Sequence, residues 1–412
     1  MSQDSEGKED SRQESALKAI FTPTFIAISL INFFGMVAYY AAFLITTPFS
    51  LEKFQVSPAV AGLLSGIVVI GCLVARFLSG KIIQSASFIV VLVCGLVLFA
   101  LTNLSYLFCS SVELLFAIRF TSGFAVGVIG TVTGTLVAVI TPPKYQGRGI
   151  SYFSMSTALS LCFGPFIGIA FLPFFGYRGV FLTTFCLSLV SLFLIFFIKV
   201  EKRAKPAKKK ISLDDFVELS IVPLCLVIVL LCIAWGNIQA FIALYAKQNH
   251  VEAAASFFFL IYALAILLSR PYTGKIYDTQ GPAVVFYPAM FSLAVGLLLL
   301  WAYPVEWVVL LSGLLIGFGF GNVQSVGQSS AISMVPRNRY AQATSTFYIF
   351  FDFSIGFAPY LSGFLVPSLG YKGVFGVSGL MTLLAVPLYF AVSRRMRNPS
   401  LGKVLPLKKK NE

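Results

Sequence analysis

The feature that most constrains this chain is the recurrence of long apolar runs. A helix needs about 20 mostly apolar residues to cross a bilayer. Twelve stretches of that kind occur, at 24–48, 57–78, 87–108, 113–139, 150–172, 178–198, 219–245, 253–271, 283–302, 307–334, 341–366 and 372–393. Little between them is polar enough to coat a soluble globule. Only 11% of the 412 residues are charged, where an ordinary soluble domain has about a quarter. Twelve buried helices in a soluble protein would need polar helices around them, and the chain supplies almost none. It is therefore read as an all-α membrane protein with twelve transmembrane helices. A cytosolic enzyme, a disordered chain and a nucleic-acid-binding module are excluded, although a net charge of +14 taken alone would point to the last.

The position of the charge sets the topology. Of the 30 Lys and Arg, all but Lys53, Arg119, Arg178, Lys247 and Lys372 fall in the two tails and the even-numbered connections. Basic residues near span ends stay on the cytoplasmic side, so both termini are expected in the cytoplasm and the chain in the cell membrane. Arg119 is read as the one basic residue inside a span. The runs Lys208–Lys210 and Lys408–Lys410 are topology labels first and contacts for anionic membrane lipids second. Residues 1–20 carry five acids and no short apolar region followed by a cleavage site, so no signal peptide is expected. The seven cysteines show no ligand spacing and read as small packing residues. Neither a metal nor a cofactor is expected.

The longest polar segment, at 199–218, separates two sets of six spans. The expected organisation is a tail at 1–20, a six-helix bundle at 21–198, a central loop at 199–218, a second bundle at 219–394 and a basic tail at 395–412. A shift of 194 residues aligns the halves without gaps. It places GYRGVF (176–181) on GYKGVF (370–375), and Arg76, Gly80 and Lys81 on Arg270, Gly274 and Lys275. It also places Gly123, Gly127, Pro142 and Pro165 on Gly317, Gly321, Pro336 and Pro359. Shared hydrophobicity alone does not keep glycines, prolines and basic residues in step. Two pseudo-symmetric bundles follow, with a substrate site expected at their interface near mid-membrane.

These residues resemble the major facilitator superfamily over about 20–395. The connection between spans eight and nine, RPYTGKIYDTQG (270–281), matches the family's Gly-x-x-x-Asp-x-x-Gly pattern with basic residues. Its first-half counterpart, RFLSGKIIQSAS (76–87), has Gln84 where the acid belongs. Arg119 and Gly123 match an Arg-x-x-x-Gly element. SLCFGPFIG (160–168) resembles the glycine-proline element of drug:proton antiporters, carried by Gly164, Pro165 and Gly168. TPPKYQGRG (141–149), echoed by VPRNRYAQA (335–343), matches the connection after span four. The resemblance implies that Gly80, Lys81, Arg270, Gly274, Lys275 and Asp278 form conformational motifs, with Asp278 at the start of span five. It implies a bend at Pro165 in a moving helix. Many such antiporters carry an acid in span one, and this chain has none there.

The scarcity of charge makes the intramembrane ions conspicuous. Arg119 shares a helix face with Gly123, Gly127, Gly130 and Gly134, so it points into the bundle, where small residues allow close helix packing. It is either a coupling cation or a structural Arg bonded to backbone carbonyls. Asp352 shares a face with Ser345, Tyr348 and Gly356. It is either a proton-coupling or substrate acid, or a structural hydrogen-bonding group. Proton-coupling or ion-pair roles thus fall to Arg119 and Asp352. The candidate substrate-binding residues are Asn32, Tyr39 and Tyr40 of span one, Trp235, Asn237 and Gln239 of span seven, Asn322 and Gln324 of span ten, and Tyr348 of span eleven. A mostly aromatic cavity with a few amides suits an amphipathic small molecule.

The leading expectation is a monomeric secondary transporter that exports an amphipathic drug-like compound or metabolite in exchange for protons. Uptake by proton symport and a non-transporting receptor or scaffold are the alternatives. The single His250 and the lack of a paired catalytic constellation argue against an enzyme. No phosphate-binding Gly-x-x-x-x-Gly-Lys-Ser/Thr loop is present, so ATP is not expected to supply the energy.

Overall fold

The computed structural model describes residues 17–85, 87–199 and 216–397. The basic runs, most of the central loop, the first sixteen residues and the side chain of Gln84 lie outside the described residues. The first half consists of α1 (Pro23–Phe54), α2 (Pro58–Ser85), α3 (Phe88–Ser105), α4 (Val112–Ile140) and α5 (Gln146–Phe193). The second consists of α6 (Val222–Asn249), α7 (Glu252–Gln280), α8 (Pro282–Ala302), α9 (Glu306–Ser333), α10 (Tyr340–Gly363) and α11 (Val366–Arg397). Helix α5 carries expected spans five and six, so eleven helices hold twelve crossing segments. Eleven of those segments are long and apolar enough to cross a membrane by composition alone. Helix α10 falls below them because Gln342, Thr344, Ser345, Thr346, Asp352 and Ser354 dilute it.

Local chemistry sets the helix ends. Thr22 caps α1, its hydroxyl accepting from the Phe25 N–H at 3.2 Å, with Pro23 in the first turn. Ser111 caps α4 in the same way through the Leu114 N–H. The repeated GYRGVF and GYKGVF segments have a backbone reason. Gly176 and Gly370 break α5 and α11 at φ 60° and 66°, a left-handed region that a Cβ disfavours. Within α5 the residue with non-helical dihedrals is Gly176, in the connection between spans five and six, and Pro165 lies inside the helix before it.

The repeat is visible in the packing as well as in the sequence. A Cβ on Gly123 would strike the Val68 backbone, and one on Gly317 the Tyr262 backbone. Both glycines and both partners are related by the 194-residue shift. Thus α4 lies tightly on α2, and α9 on α7, through equivalent glycine faces. Across the middle of the molecule, Gly80 of α2 lies against Ser345 of α10, and Gly274 of α7 against Ser151 of α5. These are again symmetry equivalents. Two seams therefore join the halves: α2 against α10, and α5 against α7. The hydrogen bonds that cross between halves gather toward the side bearing the basic connections, such as Arg337 Nη2 to the Val139 carbonyl at 3.0 Å. On the outer surface, Phe174 and Phe196 remain 82% and 81% exposed, as lipid-facing side chains do.

The expectation that Arg119 is the one basic residue inside a span is corrected. Arg76 and Arg270 lie within α2 and α7 and are buried. Their position near the ends of the apolar runs hid this, because each helix continues well past its run.

Candidate functional site between the two halves

A buried polar cluster lies on the α2–α10 seam. Arg76 Nε donates to Asp352 Oδ2 at 2.6 Å, joining the first half to the second. The Cys72 thiol, one turn earlier on α2, donates to the same oxygen at 3.2 Å. The Ser345 hydroxyl donates to the Arg76 carbonyl. The Arg76 guanidinium lies 4.3 Å from the Tyr348 ring centroid, a cation–π contact. The Tyr348 hydroxyl in turn donates to Gln328 Oε1 of α9 at 3.1 Å. Gly134 of α4 comes close enough to Gln328, Thr344 and Tyr348 that a larger side chain would press on all three.

The partner of Asp352 is thus Arg76. Arg119 is buried elsewhere, with Nε donating to the Leu64 carbonyl at 3.0 Å and its guanidinium over the Phe43 ring. That arrangement favours its structural reading. The sequence signal for Arg76 was its repeat partner: two arginines 194 residues apart, each four residues before a glycine of the basic motif.

The aromatic candidates come together in part. Trp235 is stacked between Tyr262, at 4.3 Å, and Phe320, at 5.0 Å. Tyr39 and Tyr40 form an edge-on pair at 5.3 Å. The amides are mostly engaged within a single half. Asn32 donates to Ser156 and Thr157 at 2.8 and 2.9 Å, tying α1 to α5. Asn237 donates to Ser378, tying α6 to α11. Asn322 accepts from Thr273 and donates to Ser269, tying α9 to α7. Gln239 is exposed and Gln324 half-buried. Gly164 lies directly against Tyr40, and Gly168 against Ala41 and Ile45, so this element packs α5 on α1.

The motif residues meet at the basic side. Asp278 accepts from the Gly147 N–H at 2.6 Å and the Arg148 N–H at 3.1 Å. Its carboxylate therefore sits on the free donors of the first turn of α5, where the helix dipole also favours a negative charge. At the α2–α10 seam the chain connecting the halves takes a comparable position. Phe216 stacks on Phe77 at 4.9 Å, and Lys81 Nζ lies 5.0 Å from the Phe216 ring centroid. The Glu218 N–H donates to Thr346 Oγ1 at 2.8 Å, and the Glu218 carboxylate pairs with Arg339. Sequence reasoning missed Phe216 and Glu218 because nothing in a loop sequence says where it docks.

Two six-span bundles, each packed through glycine faces, meet at a polar seam between largely apolar helices, which defines a multi-pass membrane protein of two repeated halves. The Major Facilitator Superfamily family model matches residues 25–223 and 224–410, and the chain belongs to that superfamily. An uncharacterised MFS-type transporter of Pseudomonas aeruginosa is 35% identical over 106 residues, 26% of each chain. One of Burkholderia mallei is 30% identical over 161 residues, 39% of each chain. The matched segments thus span well under two thirds of those relatives. Among solved structures, the human organic anion transporter MFSD10 superposes with a TM-score of 0.77 at 14% identity, covering 89% of this chain and 98% of that one. A bacterial homologue of the iron transporter ferroportin, in an outward-facing state, gives 0.76 at 19%, covering 90% and 100%. At such identities the likeness concerns the fold.

Proposed function

We propose that this multi-pass membrane protein exports a small amphipathic molecule across the cell membrane in exchange for protons, by alternating access. The observation that carries the reading is the Arg76–Asp352 pair. It is an ion pair within the apolar layer, and it bridges the two bodies that must separate on the basic side. A proton placed on Asp352 removes the charge that holds Arg76, and so loosens the α2–α10 seam. Reloading of the pair closes the seam again. A ligand moves a two-state equilibrium only through its differential affinity for the two states, and protonation of a bridging carboxylate has such a difference. The connections between halves gather on the basic side, which matches a state closed toward the cytoplasm. Trp235, Tyr262 and Phe320 supply aromatic surface for an apolar moiety, and the Gly164–Pro165–Gly168 element favours exchange over symport. The basic connections would face anionic lipids, and no second copy of the chain is required for the site.

The test is reconstitution of the full chain into vesicles with an imposed pH gradient and a panel of amphipathic solutes. Uphill movement driven by the gradient and abolished by Asp352→Asn is expected. Transport that ignores the gradient, or that survives Asp352→Asn between pH 5.5 and 8, would sink the proton role.

A further inference from the structure

The interior of the molecule has an excess of positive donors. Arg76, Arg119 and Arg270 are each no more than 5% exposed. Asp352 is the one carboxylate in the middle of a span among the described residues, and it is engaged by Arg76. Arg270 is the symmetry equivalent of Arg76, but the position equivalent to Asp352 in the first half is Ala158. The repeat has kept the guanidinium and lost the acid. Arg270 Nη2 donates to the Gly321 carbonyl at 3.0 Å, while Nε and Nη1 are buried without a partner among the described residues. Arg76 Nη1 and Gln328 Nε2 are in the same condition. Two of these side chains meet at Tyr348, with Arg76 over its ring and Gln328 accepting a hydrogen bond from its hydroxyl, and Arg270 reaches the helix of Gln328 at Gly321.

Every unmet atom in this cluster is a donor, and two of the three groups are cationic. An unpaired guanidinium in a dry interior is strongly unfavourable, whereas one that meets an anion is held well. Neighbouring Asp352 keeps 21% of its side chain accessible, so the cluster is not sealed on every side. We infer that the Arg270–Gln328–Arg76 cluster is the recognition site for the anionic group of the transported molecule, which makes the substrate an amphipathic organic anion. Arg270 supplies the charge, Gln328 and Arg76 supply further hydrogen bonds, and the Trp235–Tyr262–Phe320 stack takes the apolar part. Tyr262 and Arg270 both lie on α7, which joins the two regions.

This inference rests on the transport reading above, and its test separates the two. The full chain in neutral maltoside micelles is titrated with octanoate, octanol and octyltrimethylammonium, three probes with one tail and different heads. The shift of the thermal unfolding midpoint gives a Kd for each. Octanoate is expected to bind at least tenfold tighter than the other two. Arg270→Gln should erase that preference while leaving octanol binding unchanged, and Arg270→Lys should keep part of it. Gln328→Leu, a milder change, should weaken octanoate several-fold and octanol not at all. Equal or tighter binding of octanol or octyltrimethylammonium overturns the anion assignment. So does octanoate binding that Arg270→Gln and Gln328→Leu leave untouched. Either result leaves proton-driven transport to its own vesicle assay.

Discussion

The two seams that join the halves share a frame and differ in chemistry. At both, a glycine of one half lies on a serine of the other, Gly80 on Ser345 and Gly274 on Ser151. At the α5–α7 seam the fastening is local to the repeat: Asp278 sits on two backbone N–H groups at the start of α5. At the α2–α10 seam the sequence has Gln84 at the equivalent position. There the connecting chain intervenes, with Phe216 on α2 and Glu218 on Arg339 and Thr346, and the buried Arg76–Asp352 pair lies deeper. Duplication supplies two equivalent surfaces. Divergence then lets one remain a plain clasp while the other takes charges that a proton or a ligand can address.

The largest effect should come from breaking the buried pair. Arg76→Met leaves Asp352 without its cation and is expected to cost about 3 kcal/mol, the lower end for a buried pair because Asp352 is partly exposed. The double variant Arg76→Met/Asp352→Leu should recover much of that loss, as a double-mutant cycle of thermal unfolding would show. Strict additivity would mean that the two side chains do not act as a pair.

Next in size is Asp278→Ala, expected to weaken the α5–α7 seam by about 1–2 kcal/mol through lost N-terminal capping. Maleimide labelling of Ser151→Cys, buried against Gly274, should then accelerate roughly tenfold. Labelling of Ser345→Cys on the other seam should change far less, read peptide by peptide in the otherwise unaltered chain. Equal acceleration at both sites would show that the seams open as one, and the distinction drawn between them would fail. The reciprocal experiment uses Phe216→Ala, which removes an aromatic stack and a cation–π contact together worth about 1 kcal/mol. It should favour labelling at Ser345→Cys over Ser151→Cys.

The smallest expected effect is a gain. Gln84→Asp restores by repeat symmetry the acid that Asp278 supplies, facing the start of α10 in place of α5. A helix N-terminus rewards such a charge by about 0.3–1 kcal/mol, so labelling of Ser345→Cys should slow by a few-fold at most. Faster labelling would mean that the docked connecting chain and an acid at 84 are incompatible.

Much of the fold was legible in the chain itself, because a bilayer demands apolar runs of fixed length and leaves few other ways to satisfy the backbone. The repeat was legible because Gly176 and Gly370 must both adopt positive φ, and Gly123 and Gly317 must both admit a neighbouring backbone. The site was legible only in part. Periodicity placed Asp352 and Tyr348 on an inward face, and they are in the cluster. Asn32, Asn237 and Asn322 also face inward, but into contacts within their own half. Helical spacing gives the direction of a side chain and not the identity of the helix it meets. Arg76 was hidden by its place near the end of an apolar run, and Cys72 by looking like a packing residue.

The sequence by itself carried the all-helical membrane class, the long apolar runs, the internal repeat and the bias of basic residues toward one set of connections. These follow from local physics: hydrophobic length, charge placement and the backbone freedom of glycine. Only the tertiary structure decided which cation takes Asp352, that Arg119 donates to the Leu64 carbonyl, that Arg270 is left with unmet donors, and that residues 216–218 span a seam. Those outcomes depend on which helices become neighbours across the pseudo-two-fold axis. In an apolar medium an unpaired charge is costly, so its energy depends strongly on which groups come within hydrogen-bonding distance, and one-dimensional spacing does not specify them.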